Sequence, residues 1–385
     1  MDNMYIEYVV PGGITYSGKP ISPVFHPGYN RAMISWKKGS DPNVVKAKIF
    51  WNNYADSLIV DIPQDSDIVD VMITDLEEMH YSFYIITYDK DGHPSIKTEV
   101  LGQVYGEKFR SYLLSRPIIS SEMTDQGKIV INWGVADILN GAFAVDIHHI
   151  DQQSGLEVVK RFDVDSEQSI WDGNIEDVYF YQTAFLPDTL SIDTLFTEKM
   201  PLIIQKIDVT SKYLTNFIRP FAYSIWDGIR YGVLQDWITN AAIKNKGGMK
   251  YGGFDNLNNA GSMGAEQWTA DPNIINGKIY QTITLPPGDY GFTIYFGTDN
   301  PGVGNTGNDP RFLIATVGDT LPDVGNVSSA LAYASFVGVS TSSYKTINFS
   351  LKETTKVSLG ILVNFISKRQ YIRANRFQLY KINKL

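Results

Sequence analysis

The chain has 385 residues, of which 43% are hydrophobic and 19% charged, the composition of a folded protein with two or three domains. Thirty-three Lys and Arg against 42 Asp and Glu give a net charge of −9, which argues against nucleic acid as the main partner because phosphate binding is carried by basic side chains. Cysteine is absent, so disulfide scaffolds, thiolate metal sites and cysteine nucleophiles are excluded, and no apolar run approaches the roughly 18 residues of a membrane helix.

In chain order, MDNMYIEYVVPGG has neither a basic nor a long apolar region, so no secretory signal is expected there, and residues 1–20 read as a tether. Short β-branched and aromatic runs follow, Arg31–Trp36, Val44–Trp51, Ser57–Ile62, Val69–Thr74, Tyr81–Tyr88 and Ile96–Val104. They are separated by turn clusters such as KGSDPN and YDKDGHP. EKFRSYLLSRP (107–117) predicts a short helix ended by Pro117. Strands are then predicted over Ile129–Trp133, Phe143–His149, Leu156–Val164 and Tyr179–Phe185. Trp36 and Trp133 stand 97 residues apart, and Ser95-Ile96 and Ser191-Ile192 stand 96 apart. Two landmarks at nearly one offset define two copies of a unit the size of a small β-sandwich, assigned to residues 21–105 and 106–205.

Near Met200 the composition breaks. Residues 1–200 carry 15 basic and 30 acidic groups, whereas 201–385 carry 18 basic and 12 acidic groups and none of the five histidines. A Gly/Asn-rich stretch, Lys246–Gly264, reads as a long surface loop. Eight strands are predicted in residues 206–385: Arg230–Trp237, Lys278–Leu285, Asp289–Gly297, Arg311–Val317, Leu331–Val337, Tyr344–Leu351, Lys356–Asn364 and Ile372–Ile382. Eight antiparallel strands in this length fit a jelly roll. The expected fold class is therefore all-β, two sandwiches followed by a β jelly roll.

Trp36, Leu76, Tyr81-Ser82-Phe83 and the hairpin DKDGHPS resemble a fibronectin type III domain. GKIYQTITLPPGDYGFTIYFG and the closing ANRFQLYKI resemble the galactose-binding-like jelly rolls of carbohydrate-binding modules. The order of two such sandwiches and a jelly roll is similar to Bacteroidetes surface lipoproteins of polysaccharide-utilisation systems. That resemblance implies export to the cell surface or periplasm and membrane attachment only through a lipid anchor ahead of residue 1. It also implies a polysaccharide or oligosaccharide ligand, with other surface proteins as further partners.

Catalytic signatures are missing from the sequence. There is no G-x-S-x-G or H-E-x-x-H, and the jelly-roll half has no histidine to serve as a base. His148 and His149 are adjacent on a predicted strand, so one is expected half-buried and the other solvent-facing. A glycosidase needs only two carboxylates about 5–10 Å apart, and Asp255 with Glu266 is the pair to consider. A binding role is the leading expectation: Trp268, in the polar segment EQWTADPN, as a stacking platform, with Tyr251, Asp255, Asn256 and Arg373 as polar partners. The segment 298–311 gathers Asp299, Asn305 and Asp309, oxygen donors that suit a structural Ca²⁺. The alternative to glycan binding is a structural or protein-interaction component of a surface complex.

Overall fold

Alternation of apolar and polar residues builds most of the strands. In Ala32–Lys37 and Ile68–Ile73 every second side chain is buried, so each strand presents one face to a core and one to water. The computed structural model describes residues 13, 15–151, 154–174, 177–296, 304–339 and 343–383. Two compact units result. One comprises residues up to 118 with 133–167 and 177–202; the other comprises 119–132, 168–176 and 203 onward.

The first unit begins with a sandwich of the fibronectin type III type. One sheet runs Ile21–Pro27, Ala32–Lys37, Ile68–Ile73; the other runs Asp56–Asp61, Val44–Trp51, His80–Asp89, Thr98–Gln103. Between them lie Phe25, Ile34, Trp36, Ile49, Val71 and Phe83, all buried. Burial of each such side chain stabilises by about 1.5–3 kcal/mol. Leu76 and Tyr81 close one corner, where Tyr81 Oη donates to the Glu77 carbonyl at 3.2 Å. The DKDG turn is set by Asp89, whose Oδ1 accepts from the N–H groups of Asp91 and His93.

The predicted connector helix is present as Glu107–Tyr112. Around it Tyr105, Phe109 and Leu113 pack with Ala142, Phe185 and Leu195. Asp193 ties this joint: its carboxylate accepts from Tyr29 N at 2.8 Å and from Arg31 Nε and Nη2 at 2.9 and 2.5 Å. Hydrogen bonding from Arg31 holds the Asp193 carboxyl below its ordinary range, against the opposing effect of burial.

The sequence repeat reappears as pairing order. Gln168–Asp172, Lys128–Trp133 and Ile118–Met123 follow the order of the first three-stranded sheet, and Glu157–Asp163, Ala142–Ile150, Val178–Phe185 and Leu195–Phe196 follow that of the four-stranded one. His148 and His149 depart from expectation, because both side chains are largely covered, at 9% and 13% exposure. Their strand is central, flanked by Glu157–Asp163 and Val178–Phe185. His148 Nδ1 meets Glu157 at 2.9 Å, while the His149 ring lies beside that of its cross-strand partner Tyr179, centroids 5.5 Å apart.

In the second unit all eight strands predicted for residues 206–385 are found, the last divided at Asn375 into Gln370–Ala374 and Arg376–Ile382. A five-stranded sheet runs Ile238–Thr239, Ile274–Leu285, Thr355–Phe365, Arg311–Val317, Ala332–Ser335. A seven-stranded sheet carries Arg376–Ile382, Gly288–Tyr295 and Tyr344–Leu351 at one end. Through Lys206–Asp208 it continues into Ile118–Met123. Phe292, Ile294, Leu359, Ile361, Phe377 and Leu379 are fully buried in this unit. A six-stranded sheet, Tyr223–Trp226, Tyr231–Leu234, Gly253–Asp255, Ser262–Gln267, Gln370–Ala374, Gly304–Thr306, completes it.

The Gly/Asn-rich stretch expected as a loop therefore supplies two sheet strands, Gly253–Asp255 and the start of Ser262–Gln267. Its glycines serve close approach of backbones. A Cβ on Gly264 would lie 2.4 Å from the Ile372 carbonyl oxygen and 3.2 Å from Arg373 Cγ.

Candidate functional site

Register places the polar side chains of the six-stranded sheet on one face. Tyr231 pairs with Asp255, Asp255 with Ser262, Gly264 with Arg373, and Glu266 with Tyr371. With a side-chain period of two, these residues share a face, whereas Phe254, Met263, Ala265 and Ile372 take the buried opposite face. Gly264 and Ser262 keep the first face low at its centre, so the long Arg373 side chain lies across them. Arg230 enters from a turn that Asp227 fixes, its Oδ1 accepting from the N–H groups of Ile229, Arg230 and Tyr231.

The charges interlock. Arg230 donates to Asp255 through Nε at 2.8 Å and Nη2 at 3.0 Å, and to Glu266 at 2.7 Å. Arg373 donates through Nε to Asp255 at 2.5 Å and through Nη2 to Glu266. Glu266 Oε1 also accepts from Tyr231 Oη at 2.9 Å and Lys246 Nζ at 3.1 Å. Lys246 reaches Asp271 as well, and the same Asp271 oxygen accepts from Trp268 N at 2.7 Å. Burial by itself would raise the Asp255 carboxyl, but Arg230 and Arg373 outweigh it and hold the group below the ordinary carboxylate range. Burial and the neighbouring Glu266 charge push the Tyr231 phenol up.

Above this network opens a cleft of about 560 Å³. Arg230, Lys246, Glu266 and Asp271 form its polar floor, with Trp268 and Tyr371 among its walls. Trp268 is 47% exposed, and the Arg369 guanidinium sits 6.0 Å from its ring centroid. Lys368, next in the same turn, bonds the Asp271 carbonyl at 3.2 Å.

Of the residues singled out from sequence, Trp268 and Arg373 line this cleft. Asp255 lies beneath it, 6% exposed, as the anchor of both arginines. Tyr251 does not line the cleft; its backbone pairs with Lys246 and its ring lies against Gly247. Asn256 closes the turn ahead of Gly261 by accepting from Gly261 N at 3.2 Å. Arg230, Tyr231, Lys246, Asp271 and Tyr371 were not anticipated. The Asp227-Gly228 turn ahead of Arg230 and the spacing of Tyr371 and Arg373 two apart on one strand were the available signals. Trp237 is core, 4% exposed, its indole N–H donating to the Asn216 carbonyl.

In the segment expected to hold calcium, Asp299 lies outside the described residues, as does the side chain of Asn305. Asp309 accepts from Ile366 N, Ser367 N and Ser367 Oγ. Beside it Arg311, fully buried, donates to the carbonyls of Thr306 and Asp309 and to Gln370 Oε1. Burial pushes the Arg311 guanidinium down to about 10.

Fold and site together define an all-β protein that opens with a fibronectin type III-like sandwich and carries an aromatic-walled, ion-paired cleft in its C-terminal unit. Residues 1–195 match the model of DUF4998, a domain of unknown function, and residues 215–360 that of a second domain of unknown function, DUF5013. The first match spans just over half of the sequence, and the chain belongs to that family. No curated protein matches it. Among solved structures it is similar to a two-domain fibronectin type III segment of chicken tenascin, at 11% identity and a TM-score of 0.20, covering 48% of this chain and 97% of that one. It is also similar to the fibronectin(III)-like modules of CbhA from Clostridium thermocellum, at 13% identity and a TM-score of 0.30, covering 48% and 90%.

Proposed function

We propose that this protein is a non-catalytic glycan-binding protein whose cleft beside Trp268 receives a saccharide, with the N-terminal sandwiches as its stalk. The observation that carries the reading is a half-exposed indole over a floor of fixed polar groups. An aromatic face takes the apolar side of a pyranose while the polar groups take its oxygens. The non-catalytic part rests on Asp255 and Glu266. Both carboxylates are occupied by Arg230 and Arg373, so neither is placed to give or take a proton at a glycosidic oxygen. The setting belongs to the same proposal: a lipid-tethered protein at the cell surface or in the periplasm. So does a structural Ca²⁺ in the 298–311 segment with Asp309 as a ligand, for which a calcium-dependent rise in Tm is the test.

Affinity electrophoresis of the full chain against soluble plant and host polysaccharides tests the main reading. Retardation by one class, lost in Trp268→Ala, supports it. Migration unchanged by every polymer removes it. Release of reducing ends from any bound polymer would overturn the non-catalytic assignment.

A second reading, docking of another surface protein, draws on the outer face of the first sandwich. There Ile59 and Leu101 are 60% and 66% exposed, and Tyr54 stacks on Tyr84 at 5.1 Å. Charged substitutions at Ile59 and Leu101 that leave the melting curve unchanged but release a co-purifying protein would favour it.

A further inference from the structure

The cleft's unspent hydrogen-bonding capacity is lopsided. Glu266 accepts four bonds, two on each oxygen, and Asp255 likewise accepts four once Leu257 N is included. Asp271 Oδ1 is the one carboxylate oxygen of these three residues without a partner among the described residues. The donors are not exhausted. Among the described residues, Nη1 of Arg230, Nη1 of Arg373 and the indole N–H of Trp268 have no acceptor, and Lys246 Nζ has two acceptors for three protons. Charge leans the same way. Arg230, Lys246, Lys368, Arg369 and Arg373 stand at the cleft and its rim against Asp255, Glu266 and Asp271, in a chain whose net charge is −9.

A neutral diol would arrive with its own O–H donors and find few acceptors, and leaving donors unpaired on closure is costly. A carboxylate or sulfate brings acceptors only, and its bonds to guanidinium and ammonium groups are charge-assisted. Resting on the glycan-binding reading, we infer that the ligand is an acidic saccharide. Its carboxylate or sulfate faces Arg230 and Lys246, and its ring lies on Trp268.

Matched polymer pairs test this, run with the full chain beside the wider polysaccharide set: polygalacturonate with its fully methyl-esterified form, and dextran sulfate with dextran. Titration calorimetry is expected to give one anionic member an affinity roughly tenfold or more above its neutral partner, weakening as NaCl rises. Whichever pair separates identifies carboxylate or sulfate. The exposed double substitution Lys368→Gln/Arg369→Gln is expected to lower that affinity severalfold with Tm unchanged. Equal binding of a neutral partner, or binding of neutral polymers alone, overturns the acidic assignment and leaves glycan binding standing. Absence of binding to every polymer overturns both. Anion binding that persists undiminished in Trp268→Ala and in the double variant lies elsewhere on the chain and overturns the site.

Discussion

Asp255→Asn strikes the centre of the ion-paired floor. The carboxylate is 6% exposed and receives Arg230 through two bonds, Arg373 through one at 2.5 Å, and Leu257 N at 2.9 Å. The amide keeps one accepting oxygen and turns an N–H₂ group toward guanidinium donors. Arg373, 4% exposed, and Arg230 then share the single charge of Glu266. Removing one partner of a buried pair costs about 3–5 kcal/mol, because the remaining charge stays desolvated. For a unit of this size that is a fall in Tm of roughly 6–20 °C. Differential scanning fluorimetry across pH measures it, and the pH dependence has a defined sign. The folded carboxyl lies below its unfolded value, so its stabilisation is present above about pH 4 and is lost as pH falls through the folded pKa. The gap between wild type and variant therefore narrows in acid. A Tm change under 2 °C at pH 7, or a gap that widens toward pH 3, would refute the reasoning.

Three further substitutions probe other parts of the argument. Trp268→Ala removes a half-exposed ring, so Tm is expected to move by no more than a few degrees while polysaccharide retardation disappears; a cooperative loss of fold in the melting curve would make Trp268 a core residue. Gly264→Ala puts a methyl group 2.4 Å from the Ile372 carbonyl oxygen and against Arg373, which is expected to cost about 1–3 kcal/mol by urea denaturation and to weaken ligand binding with it. Asp193→Asn loosens the joint at Tyr29 and Arg31; with Arg31 42% exposed the cost is about 1–2 kcal/mol, read as faster limited proteolysis within residues 105–117.

The strands were legible wherever one face is buried and the other wet, because that condition writes itself into the sequence as alternation. Ala32–Lys37 and Tyr344–Leu351 are examples. The repeat was legible because both copies place a tryptophan at the end of the same strand. What escaped was the segment 246–264, since glycine and asparagine signal turns and also mark strands whose backbones approach closely, and sequence alone does not separate the two. The solvent-facing position expected for one of His148 and His149 fails for a related reason: alternation says which face a side chain takes, not whether that face is exposed. The cleft was half legible. Trp268 stood out as an indole in a polar segment, but Arg373 and Asp255 are 118 residues apart and Arg230 and Glu266 are 36 apart. Sheet register brings those charges together, and register is a long-range property with no local signature.

The strand Lys206–Asp208 has a bearing on how the polypeptide matures. It pairs in parallel with Ile118–Met123 and antiparallel with Arg376–Ile382, a strand far later in the chain. During synthesis the seven-stranded sheet therefore waits, with Lys206–Asp208 presenting an open edge until Arg376–Ile382 leaves the ribosome. An open edge recruits strands from other nascent chains. Any truncation that removes residues 376–382 makes that interval permanent, and production of such fragments is expected to yield inclusion bodies where the full chain yields soluble protein.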